Sequence, residues 1–332
     1  MQTLFFFELS GELDNMPLAE AVRTVKTESE DNCRISSFGP GYLIISFPEE
    51  CLNGITDRIS LTHSIGRYLG SCDLEDASSL EGSELPDGTF AIHAKRFRGM
   101  MKEVDSQNLI RKIGNIYSRN RDVDLKHPDN VVRIQMCDRV HVYLEQWTGN
   151  PEDARHRKVS ERPFFSPISL HPKYARALIN LTGVHRGGTV LDPFCGTGGI
   201  AIEAASMGMK SLVSDFDVKM VDGTRENMEF YGLDLEDFGT SDIGDIPQLF
   251  SEVDAIATDP PYGRSTRTEG EPVDQIYARA LEVFPKVLKA DGYAGVVLPH
   301  TMNGGPMLLE NVYEQYVHGS LSRFYHVFRS VQ

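Results

Sequence analysis

From residue 168 onward, short apolar runs alternate with amphipathic stretches, and this alternation limits the fold more than any other feature of the 332-residue chain. Thr189–Asp192, Ser211–Asp215, Val253–Thr258, Tyr293–Leu298 and a terminal stretch near Leu321–Arg329 read as strands. Between them Gly199–Met207, Val218–Tyr231 and Val273–Leu288 read as helices, with Gly208 and Gly232 as stops and Pro285 expected to kink or break the last. Pro172 suits a first helical turn, and Tyr174, Leu178 and Leu181 continue as a buried stripe. Strands alternating with helices predict an α/β fold with a doubly wound parallel sheet. Such sheets bind ligands at the carboxyl ends of their strands.

Two loops at strand ends carry the chemistry. In Leu191-Asp-Pro-Phe-Cys-Gly-Thr-Gly-Gly-Ile200, Gly196 and Gly198 let the backbone approach a ligand closely, beside Cys195. Read through Ala201 with Asp215 about twenty residues on, the loop also fits a dinucleotide fingerprint. Asp192, however, stands four residues before the first glycine, where it would crowd a pyrophosphate. A carboxylate there suits a cationic ligand such as S-adenosylmethionine. Asp215 is then placed for the ribose hydroxyls and Asp242, after a third strand, for the adenine amino group. The second loop is Asp259-Pro260-Pro261-Tyr262. Its prolines fix φ and hold the Asp259 carboxylate and the Pro260 carbonyl as two acceptors. Tyr262 adds a flat aromatic face, and together they describe a site for an exocyclic amino group.

The rest of the chain holds two smaller α+β segments. Over 1–62, Leu4–Leu9 and Tyr42–Phe47 read as strands around a helix at Leu18–Val25. The segment 63–148 opens on a helical stretch and runs acidic and serine-rich to Gly88. It continues with a strand at Phe90–Ala94, a helix after Asp105-Ser106, and strands at Val132–Met136 and Val140–Leu144. Residues 149–165 read as a proline-stiffened linker and 166–332 as the α/β domain. Net charge is −15, which argues against a polyanion partner, yet residues 95–162 hold 15 Lys and Arg against 10 Asp and Glu. Local charge decides where a polyanion docks, so Lys95, Arg96, Arg98, Arg111, Lys112, Arg119, Arg121 and Lys126 are RNA-binding candidates, with Arg264 beside the second loop.

Five scattered cysteines form no CxxC pair, and no His is read at ligand spacing from a Cys, so neither a disulfide framework nor a metal site is expected. Gly292–Leu309, uncharged but broken by Pro299 and Pro306, reads as strand plus loop rather than a membrane span. The apolar N-terminus lacks a basic region and a cleavage site. A cytoplasmic, monomeric protein is expected.

The 166–332 segment resembles the Rossmann-fold S-adenosylmethionine-dependent amino-methyltransferases, through its D-P-F-C-G-T-G-G loop and D-P-P-Y tetrapeptide. Phe90–Leu144, with Val-Asp-Leu-Lys-His-Pro-Asp129, resembles a THUMP RNA-binding domain. Ser166-Pro-Ile-Ser-Leu-His-Pro172, Asp259-Pro-Pro-Tyr-Gly-Arg-Ser265 and His318-Gly-Ser-Leu-Ser-Arg323 resemble the archaeal tRNA guanine-N2-methyltransferases acting at nucleoside 10. This resemblance implies a ferredoxin-like domain over 1–62, a tRNA substrate, and methyl transfer to guanine N2. Related enzymes in some lineages work with a small activator protein. The apolar loop Met302–Leu309 is either a docking surface for one or a covered sheet edge, and the second reading is preferred. Adenine-N6 methylation of nucleic acid, glutamine-N5 methylation of a protein and a non-catalytic RNA-binding module are the rival readings, with a nicotinamide oxidoreductase behind them.

Overall fold

A computed structural model describes residues 2–331 except 74–76, 81, 119–120, 150–156, 158, 167–168, 263–270 and 320, with the backbone alone at 78. The chain divides into two units, one of residues 1–12, 29–56 and 62–149, the other of residues 13–28, 57–61 and 150–332.

The first unit is built on one seven-stranded sheet in the order β2-β3-β1-β4-β7-β6-β5. Its strands are β1 (Gln2–Leu9), β2 (Arg34–Gly39), β3 (Tyr42–Pro48), β4 (Thr62–Cys72), β5 (Phe90–Arg96), β6 (Asn130–Met136) and β7 (Val140–Thr148). Phe5, Phe6 and Phe7 on β1 are all fully buried, so both faces of this strand are covered. Phe5 stacks on Phe47 at 4.4 Å between ring centroids and Phe6 on Tyr143 at 4.6 Å. Each ring buried in this way contributes about 1.5–3 kcal/mol. Residues 63–72, expected to be helical, are instead β4, hydrogen-bonded to β1 on one side and β7 on the other. The position 62/63 therefore falls inside a continuous sheet. β5 and β6 are parallel, as a crossover through the helix Ser106–Tyr117 requires. That helix is capped by Asp105, whose carboxylate accepts from the Gln107 and Asn108 amides, and it buries Leu109, Ile113 and Tyr117.

In the second unit the sheet order is β10-β9-β8-β11-β12-β14-β13. Its strands are β8 (Thr189–Asp192), β9 (Lys210–Asp215), β10 (Asp237–Thr240), β11 (Val253–Thr258), β12 (Leu288–Leu298), β13 (Leu308–His318) and β14 (Leu321–Arg329). The first five are parallel, and β14 is antiparallel to both neighbours. Among the described residues the α-helices are α1 (Met16–Glu28), α2 (Leu52–Arg58), α3 (Ser106–Tyr117), α4 (Pro172–Thr182), α5 (Gly199–Ser206), α6 (Val218–Phe230), α7 (Ile246–Leu249) and α8 (Val273–Val287). Helix α8 runs through Pro285 and ends two residues later, so the proline stops the helix rather than dividing it.

One core cluster unites α4 with Ile200 and Ala204 of α5 and Met16 of α1, and another unites α8 with Ile243 and Ile246. Helix α1 is tied in by a polar network as well. Glu20 is fully buried and accepts from the Ser60 and Leu61 amides, from Ser60 Oγ and from Asn180 Nδ2, at 2.8–2.9 Å. Burial still raises its pKa, and those four bonds offset part of the cost. Because the chain leaves β8 toward β9 on one side and reaches β11 on the other, the carboxyl ends of β8 and β11 flank the switch point of the sheet. Among the described residues no helix is long and apolar enough to cross a membrane.

Candidate active site

Strand β8 ends at Asp192, and the chain then turns through two left-handed glycines, Gly196 (φ 51°) and Gly198 (φ 76°), into α5. A Cβ on Gly198 would stand 2.8 Å from Thr224 Cγ2, so helix packing as well as backbone geometry demands glycine there. A Cβ on Gly196 would meet nothing closer than the Phe194 carbonyl at 4.0 Å. That open space lies where a ligand must approach the loop. The Gly196 amide donates to Asp215 Oδ2 at 3.1 Å, which fixes the loop to the end of β9. Cys195 departs from expectation. Its thiol is buried among Ala201, Val213 and Met228 and accepts from Thr224 Oγ1 at 3.6 Å, so it is a core group, and only its backbone belongs to the loop. Burial pushes that thiol up, away from the reactive thiolate.

Three of the four strand-end carboxylates act on one another. Asp192 is 3% exposed and accepts from Thr258 Oγ1 at 2.7 Å and the Phe194 amide at 3.3 Å. Burial pushes its carboxyl up to about 7, and the charges of Asp215 and Asp259 push the same way. Asp215 is buried too and is raised by burial, against hydrogen bonds from the Asp217 and Gly196 amides. Asp259, after β11, is raised by burial and drawn back by Arg323 and by the Tyr262 hydroxyl. Carboxylates that repel each other in a buried crevice suit a cation, and the open face at Gly196 gives the ligand a place to lie. The donor set fits S-adenosylmethionine in both respects. Asp242 sits apart, after β10, where it caps a short turn by accepting from the Gly244 amide at 2.9 Å and pairs with Arg279.

The tetrapeptide is held from three sides. Tyr262 donates its hydroxyl to Asp259 Oδ1 at 2.5 Å, and Tyr277 of α8 donates to the Pro261 carbonyl at 2.6 Å. This leaves Asp259 Oδ2 and the Pro260 carbonyl without a donor among the described residues. Arg323 on β14, half-buried, is a cation acting on both Asp259 and Tyr262, and its own Nε is buried without a hydrogen-bond partner among the described residues. Sequence reasoning quoted Arg323 in a motif and gave it no role, because nothing in the chain shows that β14 inserts beside β12. It also missed Asn227, whose amide side chain donates to the Phe164 and Thr197 carbonyls and accepts from the Phe164 amide. Asn227 thus joins residue 164 to the glycine loop. Phe216, 41% exposed directly after Asp215, is a further aromatic face at the strand end.

The basic candidates of the first unit separate into two groups. Arg96 donates to the Met101 and Val104 carbonyls, Arg121 to those of Pro86 and Leu85, and Arg98 to that of Gly11, while Lys95 pairs with Glu8. Arg96 and Arg121 are thus internal tethers before they are phosphate contacts. Arg111 and Lys112 share an exposed face of α3, and Lys126 is exposed ahead of β6. Arg119 and Arg264 lie outside the described residues.

A methyltransferase-domain family described as RMKL-like matches residues 160–318, and the THUMP-domain family matches residues 75–145. The tRNA (guanine(10)-N2)-dimethyltransferase of Methanothermobacter thermautotrophicus is 35% identical over 97% of this chain and 98% of its own. The chain belongs to that enzyme family. A second member, from Methanocaldococcus jannaschii, is 36% identical over 100% of this chain and 95% of its own. The crystal structure of TrmN from Thermus thermophilus superposes with a TM-score of 0.57 at 22% identity, covering 99% of this chain and 100% of that one, and supports the fold. The chain is thus an S-adenosylmethionine-dependent methyltransferase carrying a THUMP domain.

Proposed function

We propose that this enzyme methylates the exocyclic N2 of guanosine 10 in tRNA and continues to N2,N2-dimethylguanosine, as the names of its high-coverage relatives suggest. The observation that carries the mechanism is the occupancy of the tetrapeptide. Tyr262 engages one oxygen of Asp259 and Tyr277 engages the Pro261 carbonyl, so Oδ2 and the Pro260 carbonyl are the two acceptors left for an amino group.

Guanine N2 is a poor nucleophile because its lone pair is delocalised into the ring. Accepting both N2 protons favours a localised lone pair, and Asp259, its carboxyl raised by burial, takes the proton that transfer releases. S-adenosylmethionine, when bound, supplies an electrophilic methyl group on a sulfonium. Asp192, Asp215 and the Gly196–Gly198 loop would hold it, with Asp242 and Phe216 at the adenine end. Alignment of this kind reaches effective molarities of about 10⁵–10⁸ M. A base paired in a stem must leave its stack at a cost of roughly a few kcal/mol. Stacking on Tyr262 and phosphate contacts from Arg111, Lys112 and Lys126 offset it.

Unmodified tRNA incubated with labelled S-adenosylmethionine and digested to nucleosides tests the reading. Labelled N2,N2-dimethylguanosine is expected from the wild-type enzyme, none from it on a tRNA with adenosine at position 10, and none from Asp259→Asn, whose cofactor binding stays within a few-fold. N6-methyladenosine, or full turnover by the variant, would refute it.

A further inference from the structure

A cluster of three potential metal ligands lies in the first unit, on the hairpin that joins β6 to β7. There Cys137 Sγ, a carboxylate oxygen of Asp138 and a ring nitrogen of His141 all lie within 4.8 Å of one another. The expectation that no His stands at ligand spacing from a Cys fails here, because the tight turn at residues 137–139 folds the two strands back on each other. We propose that Cys137, Asp138 and His141 bind a zinc ion, with water as the fourth ligand.

The first support is an orphaned ring nitrogen. His141 is 3% exposed, yet its Nε2 has no hydrogen-bond partner among the described residues, the nearest acceptor being Asp138 Oδ1 at 3.9 Å. A buried, unpaired polar atom costs free energy, and a ligand that takes its lone pair removes that cost. Tyr68 supplies the second support. Its hydroxyl lies 3.1 Å from His141 Nδ1, so the tautomer protonated at Nδ1 donates to Tyr68 and leaves the Nε2 lone pair free for a metal. Metal-bound histidines are held in this way, through the nitrogen that does not bind the ion.

Charge and access agree with the same occupant. Cys137 is 1% exposed, and its thiol lies 3.7 Å from the Arg139 carbonyl and beside the Asp138 carboxylate. When zinc binds, the S–H bond breaks, its proton leaves to solvent and an S–Zn bond forms. Thiolate, carboxylate and neutral imidazole then balance the two positive charges, so an almost buried site carries no net charge. The Asp138 side chain is 43% exposed, which opens a path for the ion and for water. Zinc bonds of about 2.0–2.3 Å place ligand atoms about 3.3–3.6 Å apart, so the three atoms must draw together by up to about 1.5 Å, through rotation of the exposed carboxylate and a small closure of the hairpin. Sulfur, nitrogen and oxygen in a tetrahedral set favour zinc over magnesium or calcium.

The test uses the full chain after chelator treatment, titrated first with cobalt(II) and then with zinc(II). The expected result is a thiolate-to-cobalt charge-transfer band in the near ultraviolet, abolished by equimolar zinc. It should persist in Cys72→Ser and Cys195→Ser and vanish in Cys137→Ser. Tyr68→Phe should weaken cobalt binding by about 10–100-fold. Asp138→Asn keeps the Oδ1 that accepts from the Arg139 amide and gives up only the 3.4 Å bond from the Tyr42 hydroxyl, so the metal-free variant should melt within a few degrees of the wild type while losing the zinc-dependent rise in Tm. No band in the wild-type protein, or a band that survives Cys137→Ser, overturns the proposal. So does a zinc-dependent rise in Tm that Asp138→Asn retains.

Discussion

Asp192 makes cofactor binding sensitive to pH near neutrality, and the size of the effect follows from its burial. Its carboxyl is pushed up from 3.8 to about 7, first by burial and then by Asp215 and Asp259. A shift of that size disfavours the ionised form by roughly 4 kcal/mol. Because the folded-state value lies above the unfolded one, the group stabilises the ligand-free fold most in acid, and that stability is lost as pH rises through about 7. A cationic ligand needs the ionised form, so it must expel a proton wherever Asp192 still holds one. Between about pH 7.5 and about pH 5.5 the ionised fraction falls from about three quarters to about 3%, which weakens binding by about 25-fold. Asp215 is raised as well and steepens the slope, so the Asp192 share is the difference between wild type and Asp192→Asn. Isothermal titration of S-adenosylmethionine, in buffers of contrasting ionisation heat, reads affinity and proton release together. Near pH 5.5 wild type should release close to one more proton than the variant. Equal slopes and equal proton release in the two proteins would refute the reasoning.

Three more expectations are open to direct measurement. Gly198→Ala places a Cβ against Thr224 at a positive φ and should cost about 1–3 kcal/mol in denaturant unfolding, with loss of cofactor affinity. Arg323→Gln removes the cation that holds Asp259 down, so the acid limb of the kcat/KM profile for methylation should move to higher pH, and Arg323→Lys should restore most of the shift. Arg111→Ala combined with Lys112→Ala should weaken tRNA binding across sequences and lower its salt slope by about 1–2, leaving S-adenosylmethionine affinity unchanged.

The central strands of the second unit are legible because each buries a continuous run that stops at a polar or glycine-rich loop. Thr189–Asp192, Val253–Thr258 and Leu321–Arg329 begin and end where the sequence places them. Strand β4 is not legible, since its register shifts at Ile65/Gly66 and Tyr68/Gly70 break the alternation that marks a strand. β2 and β13 lie at sheet edges with mostly exposed or half-buried residues and so leave no apolar pattern. The same limit applies to side chains. Local spacing finds Asp192, Asp215 and Asp259, but the role of Arg323 depends on strand order. A charged residue also does not disclose whether its donors serve solvent or, as in Arg96 and Arg121, a neighbouring carbonyl.

Helix α1 and residues 57–61 belong to the catalytic unit although they precede most of the THUMP region in the chain, so no single cut separates the two units. A catalytic fragment begun at residue 150 would leave Asn180 at the heart of α4 without Glu20 and Arg58, and it would bare the apolar side of α4 that Met16 covers. Each stranded polar group costs about 1–3 kcal/mol. Replacing the THUMP-bearing unit therefore takes grafts at several points of the chain rather than the exchange of one end.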